Sequence, residues 1–267
     1  IIYYIGIVCG HMKTTYFSDY ISTSLGVKPK NLKSIDFREK DISSKASNYN
    51  VKLYHTDEEG VELKTTEAKN YSIKNMDWGL GLFKNPACEF CDDVLAECAD
   101  ITLGDAWIPK YENDGRGTNI VICRSKAIES ILNEGNKKSK IYLEKIRYQD
   151  VIRSQLSGIK HRRLGLALRL SDLHNRKLFL KKRVSLWRRY LINKRYTKII
   201  RLRNLITLHC FRHPISIIKS AQRGEEKDKI LEGYIAEYKR LYEEPKIKYR
   251  RLKKLIARYV DIYLRLP

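Results

Sequence analysis

Charge is divided along this chain more sharply than any other property, and the division limits what it can fold into. Residues 1–150 carry 21 Lys+Arg against 22 Asp+Glu, a net of −1. Subtracting these from the totals of 53 and 31 leaves 32 against 9, a net of +23, for the 117 residues that follow. A near-neutral segment can close on a core of its own, whereas a stretch at +23 repels itself and attracts anionic partners.

Pattern changes with charge. Ile1 to Val8 is apolar and β-prone and reads as a core strand of a chain whose true start lies upstream. It ends at Cys9-Gly10-His11, and Thr14 to Leu25 follows as a helix with Phe17, Tyr20, Ile21 and Leu25 on one face. Short β-prone runs at 35–38, 51–54 and 61–63, broken by turn residues, predict two or three antiparallel strands with a hairpin at Gly60. Ile101 to Asp105 and Thr118 to Cys123 read as two further strands, and Ser125 to Leu132 as a helix stopped by Gly135. From about residue 160 basic helical stretches take over, punctuated by Pro214 and Pro245, with a stripe at Leu252, Leu255, Ile256, Tyr259 and Tyr263. The expectation is an α+β fold: a mixed sheet with helices in residues 1–150, then a basic, mostly helical region, with domains at 1–158 and 159–267.

No run of about 18 apolar residues is present, which argues against a membrane-spanning helix. The amino-terminal segment lacks the basic flank and small-residue cleavage site of a signal peptide. With no secretion signal, the six cysteines point to reduced thiols in the cytoplasm, where clustered cysteines more often bind metal or do redox chemistry than form disulfides.

Cys88-Glu-Phe-Cys91 sets two thiolates one tight turn apart, able to face one metal centre, and Cys98 follows closely. Soft thiolates select zinc, copper or iron–sulfur clusters, and cubane clusters usually take four cysteines. Cys9, beside Gly10 at the end of a strand, is the best fourth candidate. Cys123 in an apolar strand and Cys210 in a basic helix read as structural thiols. Spacing alone leaves zinc and iron–sulfur equally open, with no metal at all as the third reading.

The run Cys88-Glu-Phe-Cys91-Asp-Asp-Val-Leu-Ala-Glu-Cys98-Ala-Asp100-Ile-Thr-Leu-Gly104-Asp105-Ala-Trp107 resembles the signature of the coenzyme F-420 hydrogenase/dehydrogenase beta-subunit family, C-terminal domain. Three further segments resemble it in the same order: Ile5 to His11 with Phe17 and Tyr20 behind, Phe37-Arg38-Glu39-Lys40, and Asp114-Gly115-Arg116-Gly117-Thr118. The resemblance covers roughly residues 1–160. It implies a redox subunit that holds a 4Fe-4S cluster and FAD and passes electrons to a partner protein or subunit. Cys9, Cys88, Cys91 and Cys98 are the implied ligands, with the fourth place open between Cys98 and a cysteine upstream. The wording is most similar to bacterial members linked with polysaccharide biosynthesis, which need not make the deazaflavin coenzyme.

A cluster moves single electrons and a nicotinamide or deazaflavin a hydride, so a flavin able to do both is a coherent link. Gly104 and Asp105 after a strand offer backbone and a carboxylate to such a cofactor; a Gly-Asp turn is the plainer reading. Arg38 and Lys40, two positions apart, would share a strand face and could meet phosphates. Trp78 and Trp107 are flavin-flanking candidates or core aromatics, and His11 is a cluster neighbour or an ordinary turn residue. Lys181 to Tyr190 mixes cations with interfacial aromatics, which favours peripheral contact with an anionic inner-membrane surface over nucleic acid, for which no motif is present; helices that are simply basic are an equal reading. The rival from another class is a non-catalytic zinc-binding module whose basic helices dock on a membrane, nucleic acid or partner enzyme.

Overall fold

The computed structural model describes residues 1–222 and 225–243. The stripe from Leu252 to Tyr263 and the break at Pro245 lie outside them. The fold is α+β, as expected. One sheet has the order β1 (Ile5–Ile7), β5 (Ile101–Asp105), β6 (Asn119–Cys123), with β1 parallel and β6 antiparallel to β5. The other is an antiparallel meander, β2 (Leu32–Glu39), β3 (Asn50–Thr56), β4 (Leu63–Lys69), turning at Asp57 to Gly60 as the turn residues predict.

Between β1 and β2 runs α1 (Tyr16–Ser24), whose Phe17, Tyr20 and Ile21 are buried as read. Following β6 come α2 (Lys126–Lys137), α3 (Tyr148–Ser154), α4 (Leu156–Lys160) and, after a π-helical turn at His161–Gly165, α5 (Leu166–His174). The chain ends its described course in α6 (Lys194–Arg212), α7 (Pro214–Ala221) and α8 (Lys229–Glu243), Pro214 opening α7 at the position where its missing N–H costs nothing.

The main core crosses the charge boundary. Phe17, Ile21, Val51, Leu53, Leu80 and Phe83 pack with Ile199, Ile206, Cys210, Ile217 and Ile235 of the basic helices. A smaller cluster joins Leu166, Ala167, Leu170 and Val184, with Phe90 against it. Each fully buried aliphatic or aromatic side chain contributes roughly 1.5–3 kcal/mol, so the helices are held by burial as well as by charge.

Two expectations are corrected. Ile1 to Val8 is not a core strand: β1 is an edge strand with Ile5 71% and Ile7 73% exposed. The face those residues do not occupy belongs to Gly6, where a Cβ would lie 2.3 Å from Ala96 Cβ, so the segment after the cysteines packs directly on the strand backbone. Nor does Gly135 stop α2, which runs through it to Lys137. The left-handed residue that ends the helix is Ser139 (φ 55), with the Lys140 amide donating to Gly135 O at 2.9 Å.

Gly115 has a steric reason to be glycine. A Cβ there would sit 2.1 Å from Asp41 O and 2.5 Å from Ser44 O, both backbone atoms. Gly115→Ala is therefore expected to cost about 1–3 kcal/mol, the usual range for overpacking. A thermal midpoint equal to wild type would show that the 41–48 loop yields freely.

Candidate metal centre

Residues 12–14 run antiparallel to residues 83–85. Thr14 N donates to Phe83 O at 2.8 Å, Asn85 N donates to Met12 O at 2.9 Å, and Lys13 bridges Lys84. That short ladder carries Cys9-Gly10-His11 up to the cysteine loop. There Pro86 and the Asn85 side chain, which accepts from Ala87 N at 3.0 Å, start a tight 3-10 turn (Pro86–Phe90) that sets the position of Cys88.

Met12 N donates to Cys88 Sγ at 3.4 Å, and Cys9 N donates to Val94 O at 3.0 Å. Cys9 thus lies alongside the loop holding Cys88 and Cys91. Cys9 and Cys98 are exposed, Cys88 and Cys91 half-buried, and none is in a disulfide. Cys98 sits beyond Ala96, a left-handed residue (φ 48), in a segment pinned by Arg124, which donates to Leu95 O, Ala99 O and Thr102 Oγ1. Cys210 is buried in α6, where desolvation pushes its thiol up to about 11, and Cys123 ends β6 with Sγ donating to Ser125 O.

Among the described residues no group of three or more His, Cys, Asp or Glu side chains converges as ligands for a metal ion. A cubane cluster places four irons between its thiolates and so holds them farther apart than one ion does. The donor chemistry fits such a cluster: unpaired soft thiols, and an amide already directed at Cys88 Sγ.

Sequence reasoning missed what surrounds the loop. Glu89, between Cys88 and Cys91, is buried and pairs with Lys84 Nζ and with Arg169 Nε at 3.1 Å, while Thr207 Oγ1 donates to it at 3.4 Å. Burial works to raise the Glu89 pKa, yet Lys84 and Arg169 outweigh it and hold the carboxyl below its ordinary value. Arg162, 1% exposed in the π-helical turn, donates through Nη2 to Gly10 O at 2.7 Å and Cys9 O at 3.1 Å, 3.8 Å from Cys9 Sγ. Outside the loop Arg183 pairs with Asp92 and Glu97, and Arg163 with Glu97. Part of the basic stretch therefore meets its anionic partners on the cysteine loop itself. The available signal was Arg162 and Arg169, seven residues apart in a helix whose Leu164, Leu166, Leu168 and Leu170 are apolar.

His11 stacks on half-exposed Trp78 at 5.2 Å, and burial holds its imidazole neutral, with a pKa of about 2. Burial also lowers Lys13 to about 7 and Lys84 to about 8. A lysine depressed in this way penalises the folded state while it is protonated, and the penalty lifts as pH rises from the folded value toward the ordinary 10.5. Cys210 acts oppositely above its ordinary 9.0, because the unfolded thiol ionises first. The thermal midpoint is thus expected to climb between pH 7 and about 9. A steady fall over that range would contradict the burial of these two cations.

The flavin candidates divide. Arg38 Nη1 donates to Asp105 Oδ2 at 2.6 Å, joining the two sheets, and the guanidinium lies 5.1 Å from the Tyr49 ring and 5.4 Å from that of Trp107. Arg38 Nε is buried with no hydrogen-bond partner. Lys40 lies past the end of β2 against Gly117, where a Cβ would come within 2.8 Å of Nζ. Gly104 packs on Val8, a Cβ there falling 2.4 Å from Val8 Cγ2, so strand packing already requires a glycine. Trp78 and Trp107 are 39% and 42% exposed and are not core residues.

Residues 1–149 match the model of the family described as the carboxy terminus of the coenzyme F420 hydrogenase/dehydrogenase beta subunit. The chain belongs to this family. The match bears out the resemblance read from the cysteine run and spans both sheets and α2. Membership in this beta-subunit family makes the chain an oxidoreductase-type subunit and implies a partner subunit in a complex. Among curated proteins no relative matches. No helix among the described residues is long and apolar enough to cross a membrane.

Proposed function

We propose that this member of the beta-subunit family is an iron–sulfur flavoprotein that passes electrons between a 4Fe-4S cluster, FAD and a partner protein. The observation that carries the reading is the placement of Cys9 beside the Cys88–Cys91 turn, inside the family-matched residues, with a backbone amide directed at Cys88 Sγ. Cys9, Cys88 and Cys91 hold the cluster, and Cys98 or a cysteine outside this sequence supplies the fourth ligand.

When bound, the cluster supplies one-electron transfer and the flavin converts single electrons to two-electron chemistry. The chain's own groups bind and orient. Met12 N–H hydrogen-bonds a ligand sulfur, Arg162 grips the Cys9 and Gly10 carbonyls, and Glu89 anchors the loop to α5 and α6. The unpartnered Nε of Arg38, beside Tyr49 and Trp107, is a donor for an anionic or carbonyl oxygen of FAD, with Asp105 holding the guanidinium in place, and Gly104 and Lys40 are further candidates for the same cofactor. The similarity to members linked with polysaccharide biosynthesis makes glycan-related metabolism, in the cytoplasm, the setting we favour.

Purifying the protein anaerobically tests this reading. Bound iron, acid-labile sulfide and extractable FAD are expected. Stoichiometric zinc with no chromophore would instead establish the non-catalytic module.

A further inference from the structure

Four cations are buried around the cysteine loop: Lys84, Arg162, Arg169 and Arg203, none more than 8% exposed. Arg162 and Arg169 reach backbone of the cysteine segments, at Cys9 O, Gly10 O and Glu89 O. Arg203 Nη1 lies 3.3 Å from His161 Nδ1, and Arg169 Nη2 donates to His161 O at 3.0 Å, so one histidine links the two arginines. Among the described residues Glu89 is the carboxylate in contact with this group, and burial with cationic neighbours keeps His161 neutral. Four positive charges against one negative leave a formal excess of +3. Three donors, Arg162 Nε, Arg169 Nη1 and Arg203 Nε, are buried with no partner.

Such an arrangement is unfavourable by itself, because a buried charge without a counter-charge loses its hydration and gains nothing in return. It calls for a second anion beside Glu89, and the cysteine segments these side chains reach are where one would sit, with Arg162 Nη2 at 3.8 Å from Cys9 Sγ. A 4Fe-4S centre with four thiolates is itself an anion, and each one-electron reduction adds one negative charge with no bond made and no proton moved. All three arginines lie beyond residue 149, outside the family-matched segment.

We propose that Arg162, Arg169 and Arg203 are the counter-charge of the iron–sulfur centre, a positive wall built by the basic helices that stabilises the reduced cluster and raises its potential. The inference rests on the cysteine loop being a cluster site. Arg162 is a positioning residue as well, since it ties the Cys9-Gly10 backbone to the π-helical turn.

Redox titration of the anaerobically purified full chain, followed by the cluster's electron paramagnetic resonance, tests it. Arg162→Met is expected to make reduction at least tenfold less favourable, a downward shift of about 59 mV or more for a one-electron couple. Arg162→Lys, which keeps the charge, should restore most of the shift. Arg203→Met, which touches no cysteine segment, should shift the potential in the same direction by less, and it decides the matter if Arg162→Met does not assemble a cluster. Potentials equal to wild type in the Met variants that assemble a cluster overturn the counter-charge. Absence of any cluster signal in the wild-type protein overturns the underlying reading instead.

Discussion

Replacing Glu89 with Gln is expected to destabilise the protein by about 3–5 kcal/mol, because it removes one partner of a buried ion pair and leaves the others charged. Lys84 and Arg169 would remain in the interior with no carboxylate in contact, beside Arg162 and Arg203. At roughly 2–4 °C per kcal/mol for a chain of this size class, the thermal midpoint should fall by about 10 °C. Surface pairs such as Lys28–Glu58 give the contrast, since exposed pairs contribute about 0–1 kcal/mol. The double variant Lys84→Met with Glu89→Leu should recover only part of the loss, because it removes one of the two stranded cations and leaves Arg169 without a carboxylate. A Gln variant as stable as wild type would mean that Glu89 is not the anchor of the loop.

The second large effect falls on the cluster. Cys88→Ala and Cys91→Ala are each expected to abolish stable iron incorporation, since either change removes a ligand from the turn that positions the pair. Cys9→Ala should do the same through the other wall of the site. Cys210→Ala should retain full iron content while losing some stability, because that thiol is buried in the main core and held protonated. Iron and sulfide measured on the four variants in parallel separate ligands from bystanders. Equal iron in Cys88→Ala and wild type would remove Cys88 from the ligand set.

Local pattern carried the elements well. The Asp57 to Gly60 turn, the buried face of α1 and the strand ending at Asp105 follow from alternation, helical spacing and turn chemistry, all of which are short-range. What sequence could not show was where the chain's charges would meet. Glu89 is one residue from Cys88, while its partner Arg169 is 80 positions away, so no short-range pattern pairs them. The same limit applies to β1. Ile5 and Ile7 have the composition of a core strand, and their exposure follows from Ala96 and Ala99 packing against Gly6, a contact ninety residues apart in sequence. Arg38 and Asp105 were each legible as candidates, but their union beside Tyr49 and Trp107 depends on how the two sheets face each other.

The claim that the cysteine loop holds an iron–sulfur cluster is tested most directly by electron paramagnetic resonance of the anaerobically purified protein before and after chemical reduction. A cluster accepts one electron, so a paramagnetic signal should appear on reduction and disappear on reoxidation, and it should be missing from Cys88→Ala. Zinc is a d10 ion with no redox chemistry. A protein that stays silent in both states and carries one equivalent of zinc would contradict the account.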